Sequence, residues 1–152
     1  MTQRREQVIS YFEMCRREGI SLQAGMNYRV RKRDYSILLM NASKKAPYQD
    51  RIEDKSAVII YEGHNAKNSP GGPHVDRIDQ PLLTDRGAPT QNAYFYLAAW
   101  EYKKGLREAE RVKIYEKLAR GLWIDRGFYR LVDAWVEQRD GRRVFKFKLL
   151  AD

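Results

Sequence analysis

Two apolar-rich runs, Phe128–Glu137 and Val144–Leu150, flank Arg139-Asp140-Gly141-Arg142 near the end of the chain. Asp-Gly between such runs is a strong signal for a tight β-hairpin, because the favoured two-residue turn needs positive φ at both central positions. Along the second run Phe145, Phe147 and Leu149 fall on one side and Lys146 and Lys148 on the other. That period-two alternation belongs to a strand with one buried face. The hairpin commits the fold to a largely antiparallel sheet.

The rest of the chain adds strands and two helices. Val8, Tyr11, Phe12 and Cys15 recur at three- and four-residue spacing, which predicts an amphipathic helix over 2–18, stopped by Gly19. Met26, Tyr28 and Val30 alternate with Asn27, Arg29 and Arg31 as a half-buried strand, and Lys32-Arg33-Asp34 supplies a turn into a second strand over Tyr35–Met40. A polar stretch over 41–55 precedes the apolar strand 57–61. The long irregular segment 62–89 follows, with Pro70, Gly71, Gly72, Pro73, Pro81 and Pro89. A loop of that length in a compact domain is usually functional or disordered. Thr90 or Gln91 opens a second helix that ends at Gly105, with Tyr94, Leu97, Ala98 and Tyr102 as its buried stripe. In 106–120 the Glu, Lys and Ala content favours helix while Val112 and Ile114 favour a strand over 111–118; the residues leave these in conflict, and we read it as strand on the order of the motifs along the chain. The fold class is α+β: a curved, mostly antiparallel sheet or barrel with flanking helices.

At 152 residues a single domain over 1–152 is expected, large enough to fold without a metal or disulfide staple. Cys15 is the single cysteine, which excludes an intrachain disulfide and fits a reducing cytoplasm. No 18-residue apolar run offers a membrane span, and MTQRREQ lacks the apolar core of a signal peptide. The formal net charge is +9, and its distribution is uneven: residues 1–46 carry ten Lys/Arg against four acids, and 47–152 nineteen against sixteen. A basic N-terminal portion points to a polyanion partner. Arg29, Arg31, Lys32 and Arg33 are the candidate phosphate contacts; the plainer alternative is an exposed, charged strand face and turn.

Catalytic signatures are sparse. The chain has no P-loop, no dinucleotide glycine fingerprint and no GxSxG elbow. Its two histidines, His64 and His74, with Asp76 nearby, are too few for a confident metal site. Binding chemistry fits better. Tyr48, Asp50 and Tyr61 place two aromatics and one acid around the apolar strand. A flipped base needs aromatic faces and a hydrogen-bonding group on its Watson–Crick edge, and a carboxylate accepts from cytosine's exocyclic amino group. The alternative assigns both tyrosines to the sheet and Asp50 to a turn.

VIIYEGH, DRIDQPLL, TQNAYFYLAA, RVKIYEKLARGLWIDRGFYRLVDAW and GRRVFKFKLL occur in that order. Over about residues 47–150 the chain thereby resembles the SRA (YDG) domain family, in particular its bacterial branch found as the N-terminal reader of HNH restriction endonucleases. The family's Tyr-Asp-Gly signature reads Trp123-Ile124-Asp125-Arg126-Gly127 here, with a substitution and an inserted residue. The resemblance implies a PUA-like, crescent-shaped barrel that flips 5-methylcytosine or 5-hydroxymethylcytosine out of duplex DNA. Two aromatics would sandwich the base, carried over as Tyr48 and Tyr61, and Asp50 would read its amino group. The loop 64–80, with Asn68, His74 and Arg77, would fill the vacated space in the duplex. The implied partners are modified double-stranded DNA and a C-terminal HNH nuclease domain in a longer protein, with a homodimer left open. No cofactor is implied for this chain; a divalent metal would belong to the nuclease. The alternatives are a PUA-like RNA-binding module and a stand-alone metal-dependent nuclease using His64, His74 and Asp76.

Overall fold

The C-terminal hairpin is the spine of the sheet. The computed structural model describes residues 7–41, 50–53, 57–67 and 74–152. In chain order the elements are β1 (Gln7–Ser10), α1 (Tyr11–Glu18), β2 (Met26–Asn27), β3 (Ser36–Met40), β4 (Arg51–Glu53), β5 (Val58–Glu62), α2 (Gln91–Lys103), β6 (Glu110–Ala119), β7 (Leu122–Arg139) and β8 (Arg142–Ala151). β7 and β8 pair antiparallel from Arg139↔Arg142 to Tyr129↔Ala151. Asp140 and Gly141 take φ of 51° and 80° at the turn, the two positive values its geometry requires.

The sheet runs β2-β3-β6-β7-β8-β5-β4, with β1 added to the first residues of β7. β3 and β6 run parallel, whereas the other described pairs are antiparallel. The architecture is α+β, with a mixed sheet that does not close into a barrel. It does curl. β3 and β5 lie four places apart in strand order, yet the Tyr61 hydroxyl on β5 donates to the Leu39 carbonyl on β3 at 3.2 Å. Side chains thus span a seam that strand pairing would close in a barrel.

Alternation along the strands builds the core on both faces. Leu38, Met40, Ile59, Tyr61, Val112, Ile114, Leu131, Phe145, Phe147 and Leu149 form the main cluster with Phe95, Ala98 and Ala99 of α2. On the opposite face Ile37 and Tyr115 pack with Ile9, Met14 and Leu22 beneath α1. This two-sided burial explains why β3 reads as a continuous apolar run.

The Trp123–Gly127 segment carries a bulge. Opposite β6, Ile114 pairs with Gly127 and Tyr115 with Asp125, leaving Arg126 as the extra residue of a β-bulge. Gly127 takes φ of 80°, and its amide donates to the Asp125 carboxylate at 2.8 Å. Arg126 turns back to Glu116 as an ion pair. The extra residue is absorbed by the bulge while the strand continues.

Three local expectations are corrected. The N-terminal helix expected over 2–18 is instead, within the described residues, a strand up to Ser10 followed by α1. Ser10 caps that helix by accepting from the Glu13 amide at 3.0 Å, and Gly19 ends it in left-handed geometry. Pairing of Val8 with Ile124 draws the first residues into the sheet, so Val8 and Phe12 are exposed and Met14 is buried in their place. The alternation from Met26 to Arg31 yields only the two-residue β2. Left-handed backbone at Arg29 (φ 43°), Arg31 (54°) and Lys32 (61°) then turns the chain. In α2, Ala98 is buried as expected, but the other inward residues are Asn92, Phe95 and Ala99, with Tyr94 and Leu97 outward. The helix is apolar on most sides, so spacing alone did not identify its inner face.

Candidate nucleic-acid interface

Asp50 lies where the curled sheet fails to close. Its carboxylate accepts from the Glu62 amide at 2.8 Å and from the Asn41 amide at 3.2 Å. It therefore ties the residue after β3 to the last residue of β5, immediately beside Tyr61. Asp50 is only 8% exposed. Burial pushes its carboxyl up, and the negative charge of Glu62 adds to this. The two amide hydrogen bonds and Lys146 oppose them, leaving it at about 7. Each carboxylate oxygen has two acceptor sites, so two backbone donors leave capacity for another.

Tyr61 stands opposite Phe147 and belongs to the main core, 5% exposed. Behind its hydroxyl lies Gly25, where an added Cβ would come within 2.7 Å of that oxygen. The structure thus brings Asp50 and Tyr61 to one end of β5. Tyr48 and Asn68 lie outside the described residues.

Beneath Asp50, Glu62 is buried and paired with Arg139, whose Nη2 donates at 3.1 Å, and with Lys146, whose Nζ lies 3.1 Å away. Lys146 points away from Phe145 and Phe147 as the alternation predicts. It is nonetheless buried, because Glu62 faces it across the β5–β8 ladder.

The ends of the long loop are held by side chains that sequence reasoning gave no role. Gln80 Nε2 donates to the Gly63 carbonyl at 2.7 Å, and its Oε1 accepts from the Phe145 amide at 2.8 Å. Asn92 Oδ1 accepts from the His64 amide at 2.9 Å, and its Nδ2 donates to the His64 and Pro81 carbonyls, both at 3.0 Å. Gly63 fits only because it has no side chain: a Cβ would meet Asn92 Oδ1 at 2.5 Å and Gln80 Oε1 at 2.9 Å. Gln80 and Asn92 stand within the DRIDQPLL and TQNAYFYLAA stretches. The available signal was an amide side chain beside apolar residues in each.

His64, half-buried, shares a 2.9 Å hydrogen bond between its ring Nδ1 and the Asn65 carbonyl. His74 and Arg77 are exposed at either end of a short 3-10 turn, where the Arg77 amide donates to the His74 carbonyl at 2.9 Å. Among the described residues no three His, Cys, Asp or Glu side chains gather as a metal-binding group.

The four basic candidates separate. Arg29 grips the buried Glu110 through Nε and Nη2 at 2.7–3.1 Å, alongside Ser36 and Arg107. Burial opposes ionisation of Glu110, but these three donors hold its carboxyl below the usual range. Arg33 donates to the Val30 carbonyl at 2.9 Å and lies 4.0 Å from Glu18. Arg31 and Lys32 are exposed on the left-handed turn.

An open mixed sheet with this strand order, two helices and a side-chain seam is an SRA-like fold. The SRA domain of SUVH5 in complex with hemi-methylated CG DNA matches over 95% of this chain and 85% of that one, with a TM-score of 0.61 and 22% identity. The SUVH5 SRA domain bound to fully hydroxymethylated CG DNA matches over 97% and 87%, with a TM-score of 0.63 and 21% identity. The modification-dependent restriction endonuclease TagI matches over 97% of this chain and 49% of that one, with a TM-score of 0.61 and 20% identity. No family model matches the sequence, and no curated protein matches it. Among the described residues no helix is long and apolar enough to cross a membrane.

Proposed function

We propose that this chain reads duplex DNA carrying 5-methylcytosine or 5-hydroxymethylcytosine, flipping the modified base into the seam between β3 and β5. The observation that carries the proposal is Asp50, a buried carboxylate fixed by two backbone amides beside Tyr61. A carboxylate so placed has a remaining acceptor site and a desolvation cost that a donor would offset. Cytosine's exocyclic amino group is such a donor, whereas thymine presents a carbonyl there. Tyr61, its hydroxyl held by the Leu39 carbonyl, would supply one ring face and Tyr48 the other. His74 and Arg77, with Asn68, would enter the space the base leaves. Arg31 and Lys32 would meet phosphates directly, with Arg29 and Arg33 supporting that turn. The SRA-like fold and the DNA-bound SRA neighbours support the reading.

Cleavage would come from an HNH nuclease domain of a longer cytoplasmic protein, with any divalent metal residing there. The match to about half of TagI, a modification-dependent restriction endonuclease, supports a reader joined to further chain. A titration against otherwise identical duplexes carrying cytosine, 5-methylcytosine or 5-hydroxymethylcytosine tests the proposal. Preference for a modified duplex is expected, and Asp50→Asn should lose about 1–3 kcal/mol of it, the scale of one base-edge contact. Tyr61→Phe, which keeps the ring, should bind nearly as well. Equal affinity for all three duplexes at one salt concentration refutes it.

A further inference from the structure

Arg142 opens β8 and is 3% exposed. Its hydrogen-bond partners among the described residues are neutral oxygens. Nη1 donates to Asn65 Oδ1 at 2.8 Å and to the Val75 and Ile78 carbonyls, both at 3.2 Å. A guanidinium is costly to remove from water, and neutral acceptors compensate it less fully than a carboxylate. The hairpin turn itself does not need an arginine there, since Asp140 and Gly141 already provide its backbone geometry. What Arg142 does is geometric. It joins the departing arm of the long loop, at Asn65, to the returning arm at the 3-10 turn Val75–Arg77. That turn carries His74 and Arg77 at its ends.

We infer that Arg142 is a positioning residue for DNA binding: it fixes the turn that presents His74 and Arg77, so that these side chains can occupy the duplex once the modified base has left it. The inference rests on the proposed function. A guanidinium suits the task because it is planar, rigid and always charged, and its Nη1 alone meets acceptors on both arms.

The test compares two duplexes that differ only in what stands opposite 5-methylcytosine: guanine, or an abasic site. In the second the methylated base is already unpaired, so filling its vacated position contributes little. Arg142→Gln is expected to weaken binding to the guanine-paired duplex about tenfold, the equivalent of one hydrogen bond to a charged group. The abasic duplex should be affected less than about twofold on the same scale. Arg142→Lys, which keeps the charge and loses the rigid planar group, should recover part of the loss, and it serves alone if Arg142→Gln does not fold. The Arg77 amide, bonded to the His74 carbonyl, should exchange hydrogen faster in either variant. Equal weakening on both duplexes, or no weakening on either, overturns the inference. A wild-type chain that binds methylated and unmethylated guanine-paired duplexes equally overturns the proposed function itself, and the two failures are told apart by that control.

Discussion

Replacing Asp50 by asparagine should make the protein less stable in acid and more stable in mild alkali. The Asp50 carboxyl rises from 3.8 to about 7 on folding, chiefly through burial. Each tenfold change in proton affinity is worth about 1.4 kcal/mol, so the folded state forfeits roughly 4 kcal/mol once this group must ionise. The sign follows from the raised value. The favourable contribution is complete below pH 3.8, declines as pH rises, and is fully lost above pH 7. Asparagine is neutral throughout and escapes this loss. It has one carbonyl oxygen, however, and two backbone amides to satisfy, those of Glu62 and Asn41. One amide would face an NH2 group, costing about 1–2 kcal/mol at every pH. Wild type should therefore be the more stable protein near pH 4 by about 1 kcal/mol, the curves should cross at about pH 4.5–5, and Asp50→Asn should lead by about 2–3 kcal/mol at pH 8. Urea unfolding followed by tryptophan fluorescence at pH 4, 5, 6, 7 and 8 measures this difference directly. Other titrating groups largely cancel between the two proteins. Parallel stability curves across that range would refute the argument that burial governs Asp50. Under the proposed function the same substitution weakens recognition of the modified duplex, the usual cost of keeping a destabilising group for a ligand.

Arg29→Ala should destabilise the fold by about 1–3 kcal/mol in thermal or urea unfolding, because it removes a charged donor from the buried Glu110. Arg31→Ala and Lys32→Ala should leave stability within about 0.5 kcal/mol. They should instead weaken binding to every DNA sequence and lower the salt slope by about one each. Gly63→Ala should cost about 1–3 kcal/mol in unfolding, since its Cβ would meet Asn92, Gln80 and, at 3.1 Å, the Phe145 Cβ. Tyr115→Phe should cost about 1–3 kcal/mol by the same measurement. It takes from the buried Glu18 one of two phenol donors, the other being Tyr35 at 2.6 Å.

Much of the fold was written locally. The Asp140-Gly141 turn and the alternation after it specified the hairpin, because turn geometry and side-chain period are properties of neighbouring residues. The helix opening at Thr90 was legible for the same reason, whereas in 106–120 the local signals conflicted and the order of the motifs decided for a strand. Val8 and Phe12 were misread because helical spacing and an added strand compete for the same residues. Pairing with β7, more than a hundred residues away, decides the contest. The outward face of α2 was illegible because a helix apolar on most sides leaves the choice to its neighbours.

By itself the sequence determined the class of the fold, the basic balance of the chain, and a carboxylate and a tyrosine close together in number. Whether Asp50 is a turn former or a buried acceptor could not be read locally, because its partners, Asn41 and Glu62, arrive from strands four places apart in the sheet. The same is true of the loop's anchors. Gln80, Asn92 and Arg142 become a single hydrogen-bonded device only when α2, β5 and β8 meet. Turn chemistry and periodicity act between neighbours in the chain, whereas burial and the satisfaction of buried polar groups are set by neighbours in space. Tertiary structure alone therefore made VIIYEGH one wall of a seam, with its acid, its ring and its glycine each fixed from a different element.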